Sequence, residues 1–409
     1  MIRPAPPKRR SPRAWGARAA IALPVAVLGF ASITFSVAQV IAKRDPMLAH
    51  GLAPYDGRIT AKAATVLAGA EANAADRRRA DDLARQALRQ DATAVLAIST
   101  LGLNADLRGD KNGARRLFAQ AQHQSRRDLR TQLWMIEDAV ERGSIPEALK
   151  HYDRALRVAP QLGELLYPVL ATANAEAAVR RELARTLAGR PSWGESFISY
   201  ASRSAPDLRA VAALFLDLRQ LGVTVPQPSR AAVVDGLIAS GRVYDAWRYY
   251  ALDRPGVDPR RSRDPHFSAG LTTPSQFDWV PIDDAGVTTA MSDGVVDFVA
   301  AASTGGPLLR QVQVLPPGTY RLLGRSEGVD QAPQSRPYWT LQCQDGRELG
   351  RVPLPASAEA KAPFAGMFNV PVGCPVQTLV LVAQTSDAMT GLSGRIERAE
   401  LAPLPTVRR

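Results

Sequence analysis

The chain has 409 residues, 46% hydrophobic and 22% charged, enough for two or three separately cored domains. Its net charge of +12 looks like a nucleic-acid signal until it is located: eight of the 51 Lys and Arg residues, and none of the 39 acids, lie in the first 44 positions. That leaves 43 bases against 39 acids for the rest, too even a balance for a basic stripe on a folded body, so nucleic acid is excluded as a partner.

Residues 1–18 form a basic tail, and residues 19–42 (AAIALPVAVLGFASITFSVAQVIA) carry no charge. A helix of that length crosses a hydrocarbon layer of ~30 Å with some tilt. Pro24 is expected within the first turn or two of this helix, where proline costs least. Six bases precede the run and Lys43 and Arg44 follow it, an asymmetry that keeps the N-terminus in the cytoplasm and sends the body across a bacterial inner membrane. A cleaved signal peptide is the alternative, because Ser36-Val37-Ala38 has small residues at the −3 and −1 positions of a cut after Ala38. The apolar run continues past that point, which favours an uncleaved single-pass anchor. Either reading delivers the body to the periplasmic side.

Residues 46–251 are expected to be helical, rich in Ala, Leu and Arg. Self-comparison gives a period of 34 residues, clearest over 61–160. It relates Ala80, Ala114 and Ala148; Ala84, Phe118 and Tyr152; Ala87, Ala121 and Ala155; and the turn residues Gly109 and Gly143. Gly102 and the helix-ending Pro160 complete the pattern. The array resembles the tetratricopeptide repeat, in which small residues stand where two helices cross and an aromatic follows one of them. It departs from that family at Ala84, where an aromatic is usual, and at Trp134, displaced by two positions. The period fades after Pro160, and Gly241, Ala246 and Tyr250 repeat the spacing once more as a degenerate hairpin. The resemblance implies a scaffold that binds a protein partner in a groove lined by Ser99, Leu103, Leu133 and Glu137.

Residues 252–270 (beginning LDRPGVDPRRSRDP) read as a linker, after which residues 271–405 carry short alternating runs. Candidate strands are 287–291, 295–301, 312–315, 319–323, 338–343, 347–354, 376–383 and 394–401, with Asp293-Gly294, Pro317-Gly318 and Asp345-Gly346 as turns. Eight strands in that length predict an antiparallel β-sandwich of jelly-roll type, giving the chain a multidomain, α then β architecture. The sandwich looks like carbohydrate-binding jelly-roll modules through its strand, Pro-Gly turn and Tyr-bearing strand (VQVLPPGTYRLL). That resemblance makes Trp279, Tyr338, Phe277 and Phe368 candidate sugar-stacking residues; Trp339, on the apolar face of its strand, reads as core.

Cys343 and Cys374 have no metal-ligand spacing. In an oxidising compartment they are a candidate disulfide, and otherwise two small core residues. No nucleotide-binding, nucleophile-elbow or zinc-protease motif occurs, and Asp283, Asp284 and Asp293 sit in turn-rich sequence. His123 and His151 are expected on solvated, charge-rich helix faces. The reading is a noncatalytic, membrane-anchored periplasmic adaptor with no cofactor or metal, working in exopolysaccharide or surface-glycan assembly. The alternatives are a purely protein-interacting envelope protein and, less favoured, a glycan-modifying hydrolase.

Overall fold

In the computed structural model, which describes residues 12–284, 286–385 and 391–404, the chain is helical first and a β-sandwich afterwards. It divides into two compact units, residues 1–162 and 163–409.

The first unit opens on helix α1 (Pro12–Ile41). Its stretch Arg18–Ile41 is, by length and composition, long and apolar enough to cross a membrane. Pro24 lies inside this helix, a correction to the expected place near its start, because the helix begins at Pro12. After α2 (Pro46–Leu52) come three helical hairpins: α3 and α4 (Gly57–Leu67, Ala74–Gln90), α5 and α6 (Val95–Leu107, Lys111–Gln124), α7 and α8 (Leu129–Glu141, Ile145–Val158). Gly109 and Gly143 turn the second and third with φ of +84° and +67°, a region only glycine enters freely. Ala80, Ala84, Ala87, Ala114, Ala121 and Ala155 are wholly buried. Their small volume is what lets the helix backbones approach.

A polar contact also recurs at the 34-residue offset. In α4, Asp81 accepts from Asn104 Nδ2 (2.6 Å) and Arg108 (2.8 Å). In the next unit Arg115 replaces the acid and Asp138 the amide: Asp138 accepts from Arg115 (2.8 Å) and from Arg142 (2.9 Å). The charges are exchanged but the pairing is kept, as a buried charge requires. Burial opposes ionisation of Asp138, but the two arginines outweigh it and hold the carboxyl below its ordinary value.

The second unit begins with α9 (Gly163–Ala173), α10 (Ala177–Ala188), α11 (Gly194–Ser204), α12 (Leu208–Gln220), α13 (Gln227–Ala239) and α14 (Val243–Asp253). The last two form the degenerate hairpin read from the sequence, with Gly241 at φ +75° in its turn and Ala246 fully buried.

Among the described residues ten strands follow: β1 (Val280–Pro281), β2 (Val287–Ser292), β3 (Val295–Ala300), β4 (Gly306–Gln313), β5 (Gly318–Glu327), β6 (Tyr338–Cys343), β7 (Glu348–Pro353), β8 (Ala362–Val370), β9 (Gln377–Ala383) and β10 (Leu392–Pro403). They make two antiparallel sheets, β1-β4-β9-β6-β7 and β2-β3-β10-β5-β8, packed through one apolar core. Asp293 and Gly294 both have positive φ, the geometry of a tight hairpin turn between β2 and β3. Strand β4 starts at Gly306 rather than Val312. Strand β8 was missed because Pro363 and Gly366 interrupt an otherwise regular Phe364, Phe368, Val370 alternation; as an edge strand it tolerates the proline.

The 252–270 stretch is not a free linker. Ser262 N donates to Leu401 O (2.9 Å) and Ala399 N to Pro265 O (3.0 Å), so it runs along β10. Arg263, 6% exposed, donates to Phe277 O (2.9 Å), Gln313 Oε1 (2.7 Å) and Val312 O while lying over the Trp247 and Phe277 rings. Burial lowers its guanidinium pKa to about 10. Nearby, buried Asp278 accepts from Tyr250 Oη (2.7 Å), Arg254 and Ser275, tying α14 to the chain entering the sandwich. The composition change at 252 marks a switch from helix to strand, while the polar side chains that follow are consumed in holding the two together.

Candidate functional site

The stacking candidates separate by strand parity and burial. Phe277, Trp279 and Phe368 are 0%, 2% and 1% exposed. They cannot stack on a ligand, which corrects the sequence reading of all three. Trp279 packs on Phe267 and Trp339 (centroids 5.5 and 5.6 Å) and donates Nε1–H to Asp264 O (2.9 Å). Phe277 meets Trp247 edge-on, and Phe368 points into the sandwich from β8.

Tyr338 is different. Along β6, Trp339, Leu341 and Cys343 face the core, so Tyr338, Thr340 and Gln342 face outward. The register sets Tyr338 between Val382 and Pro353, Thr340 between Val380 and Arg351, and Gln342 between Thr378 and Glu348. These residues make the outer face of the β1-β4-β9-β6-β7 sheet. Tyr338, Gln342, Thr378 and Val382 are half-buried, and Arg351 and Pro353 are exposed. The Arg351 guanidinium stands 4.5 Å from the Tyr338 ring centroid, a cation–π contact, and forks onto Glu348 with one bond of 3.0 Å. Glu348 and, less, Tyr338 hold Arg351 more firmly protonated than usual. Thr340, fully buried, spends its hydroxyl on Gly350 O (3.0 Å).

Arg351 is a candidate site residue that the sequence reading did not pick out. The Asp345-Gly346 turn signalled that β6 and β7 pair, but it is a register shift between Thr340 and Gln342 that sets Arg351 opposite Thr340, beside Tyr338. The face offers an aromatic ring, a fixed fork of donors and side-chain amide and hydroxyl groups. That inventory suits recognition of a polar ring or an anion.

The groove candidates also divide. Ser99 is fully buried, with its hydroxyl on Leu96 O (3.2 Å), so it lines no groove. The reason is that α5 is enclosed by α3, α4 and α6, and even its polar Thr100 is spent on Thr65 (3.0 Å). Leu103 and Leu133 are half-buried, Leu103 against the Phe118–Trp134 cluster, and Glu137 is exposed. His123 is exposed as expected. His151 is not: it is 1% exposed, bonds Gln132 Oε1 through Nδ1 (2.8 Å), and has its pKa lowered to about 4, mainly by burial.

Cys343 and Cys374 form a disulfide with Cα atoms 5.6 Å apart. Among the described residues no group of three or more His, Cys, Asp or Glu side chains could hold a metal. A cleft of about 450 Å³ between α10, α11 and the 223–226 loop is lined by residues that include Leu187, Arg190, Ser192, Glu195 and Thr224, with Glu195 as its one carboxylate.

No protein-family model and no curated protein sequence matches the chain. Among solved structures, the C-terminal domain resembles carbohydrate-binding modules. A CBM4 structure is 12% identical, covering 35% of this chain and 99% of that one at a TM-score of 0.28. The structure of TmCBM61 in complex with β-1,4-galactotriose is 18% identical, covering 34% and 96% at 0.25. The CBM22-1 xylan-binding domain from Paenibacillus barcinonensis is 12% identical, covering 34% and 91% at 0.23.

Proposed function

We propose that the chain is a noncatalytic adaptor of the bacterial envelope, anchored by α1 with its body in the periplasm. The sandwich binds a glycan on the outer face of β6, β7 and β9, and tetratricopeptide-like hairpins bind a protein. The setting is exopolysaccharide or surface-glycan assembly. The observation that carries the glycan reading is Tyr338: of the four aromatic candidates it alone reaches the surface, between Val382 and Pro353 on the neighbouring strands, with the Arg351 guanidinium over its ring and Gln342 and Thr378 further along the same face. Arg351 above it favours a sugar bearing a carboxylate.

An uncleaved anchor is supported by Ala38, the residue before the candidate cut. It lies within α1, is fully buried, and packs with Ala49, Ala53 and Ile59. A peptidase needs that segment extended and accessible.

The test is binding of the full-length protein in detergent to an array of neutral and acidic glycans. Tyr338→Ala is expected to reduce binding at least ten-fold without changing the melting profile. An array that stays silent for the wild-type chain overturns the glycan reading. A second reading, a purely protein-interacting sandwich, is favoured by Arg351 covering one face of the Tyr338 ring. A photocrosslinker at position 338 that captured a protein and no glycan would establish it.

A further inference from the structure

We infer that α2 and Tyr55 form a lipid-contacting elbow, so that the first hairpin is seated on the bilayer surface rather than hung from a flexible tether. The inference rests on the anchor reading of α1 and deepens it.

Length comes first. A span needs about 20 residues of apolar character to cross the hydrocarbon layer, and the uncharged run 19–42 has 24. Counted from the bases that precede the run, 20 residues end at Ala38, so about four, 39–42, stand in the headgroup layer on the body side. There α1 ceases to be free: Ala38 (0% exposed) and Ala42 (2%) pack against Ala49, Ala53 and Ile59, and Gln39 Nε2 donates to Asp56 Oδ2 (3.0 Å). Asp45 caps α2 through Leu48 N (2.9 Å), fixing the bend. The folded body thus begins inside the headgroup layer, which is only several Å deep on each side.

The surface there suits that position. Met47 and Leu48 are 40% and 54% exposed, beside Val37 (42%) and Val40 (75%) at the end of the span; Tyr55 is 56% exposed. Exposed apolar side chains close in the chain to the end of a span, with the exposed bases Lys43 and Arg44 among them, match an anionic lipid interface. Trp15, 65% exposed just before the span, suits the opposite interface as Tyr55 suits this one.

The experiment uses the full-length chain in vesicles of phosphatidylethanolamine and phosphatidylglycerol. Nitroxides are placed by Leu48→Cys, by Leu28→Cys within the span, and by Val140→Cys, an exposed apolar site on α7. The native cysteines are paired and do not label. The ratio of accessibility to oxygen over a water-soluble nickel chelate is expected to be several-fold higher at position 48 than at 140, and higher still at 28. A ratio at 48 equal to that at 140, with 28 lipid-buried, overturns the elbow and leaves the anchor standing. Water access at 28 overturns both.

Discussion

Gly102→Ala is the sharpest test of how the hairpins are built. In an exposed helix this change is stabilising by about 1 kcal/mol, because alanine loses less backbone entropy on folding. At Gly102 the added Cβ would meet the Phe118 ring at 2.9, 3.0 and 3.1 Å. The ring cannot easily retreat. It is fully buried, stacked on Trp134 with centroids 4.3 Å apart, in a cluster with the fully buried Ala114. Overpacking of this kind costs about 1–3 kcal/mol, so the net expectation is a loss of about 1 kcal/mol despite the better helix former. Gly51→Ala, in the exposed part of α2 with nothing within 4 Å, supplies the control and should be stabilising by about 0.5–1 kcal/mol. Urea denaturation of the full chain in detergent, with hydrogen exchange of the α5 and α6 amides to localise the effect, reads both. Introducing Phe118→Leu should make Gly102→Ala less costly than it is in the wild-type background. Two stabilising glycine substitutions of equal size would refute the close α5–α6 crossing.

Three further outcomes follow from the same packing. Because the folded pKa of His151 is about 4, below its unfolded value near 6.5, the unfolded chain binds the proton first as pH falls. Stability should therefore decline between about pH 6.5 and 4 by at most about 3 kcal/mol, and His151→Gln should flatten that slope; an unchanged slope would count against a buried neutral imidazole. Arg263→Met leaves Gln313 and the Val312 and Phe277 carbonyls without their donor, and is expected to lower stability by at least about 2 kcal/mol, measured by denaturant midpoint. Cys343→Ser with Cys374→Ser opens a loop with a sequence separation of 31 and should cost roughly 3–4 kcal/mol in the chain-entropy account, seen as matched loss in the wild-type chain under reductant.

The order helix then sandwich, the 24-residue apolar run, the hairpin turns and most strands were legible in the sequence. Each depends on local rules: periodicity, glycine at positive φ, alternation across a pleat. The 34-residue offset was legible too, and it extends to a feature the apolar columns did not reveal, the Asp81–Asn104–Arg108 contact repeated with exchanged charges at Arg115, Asp138 and Arg142. Burial was decided elsewhere. Ser99 and His151 look like surface residues on their own helices, and only the neighbouring helices enclose them. Arg263 lies in a charge-rich stretch that reads as solvated linker, yet two carbonyls and Gln313 from distant parts of the chain satisfy its guanidinium in the interior. The same holds at the candidate site. Alternation along β6 separates Tyr338 from Trp339, but which of Phe277, Trp279 and Phe368 reaches the surface depends on how the two sheets and the 252–270 segment close over them. Propensity and pattern act over a few residues. Exposure is settled by contacts between elements dozens of positions apart, which no local signal encodes.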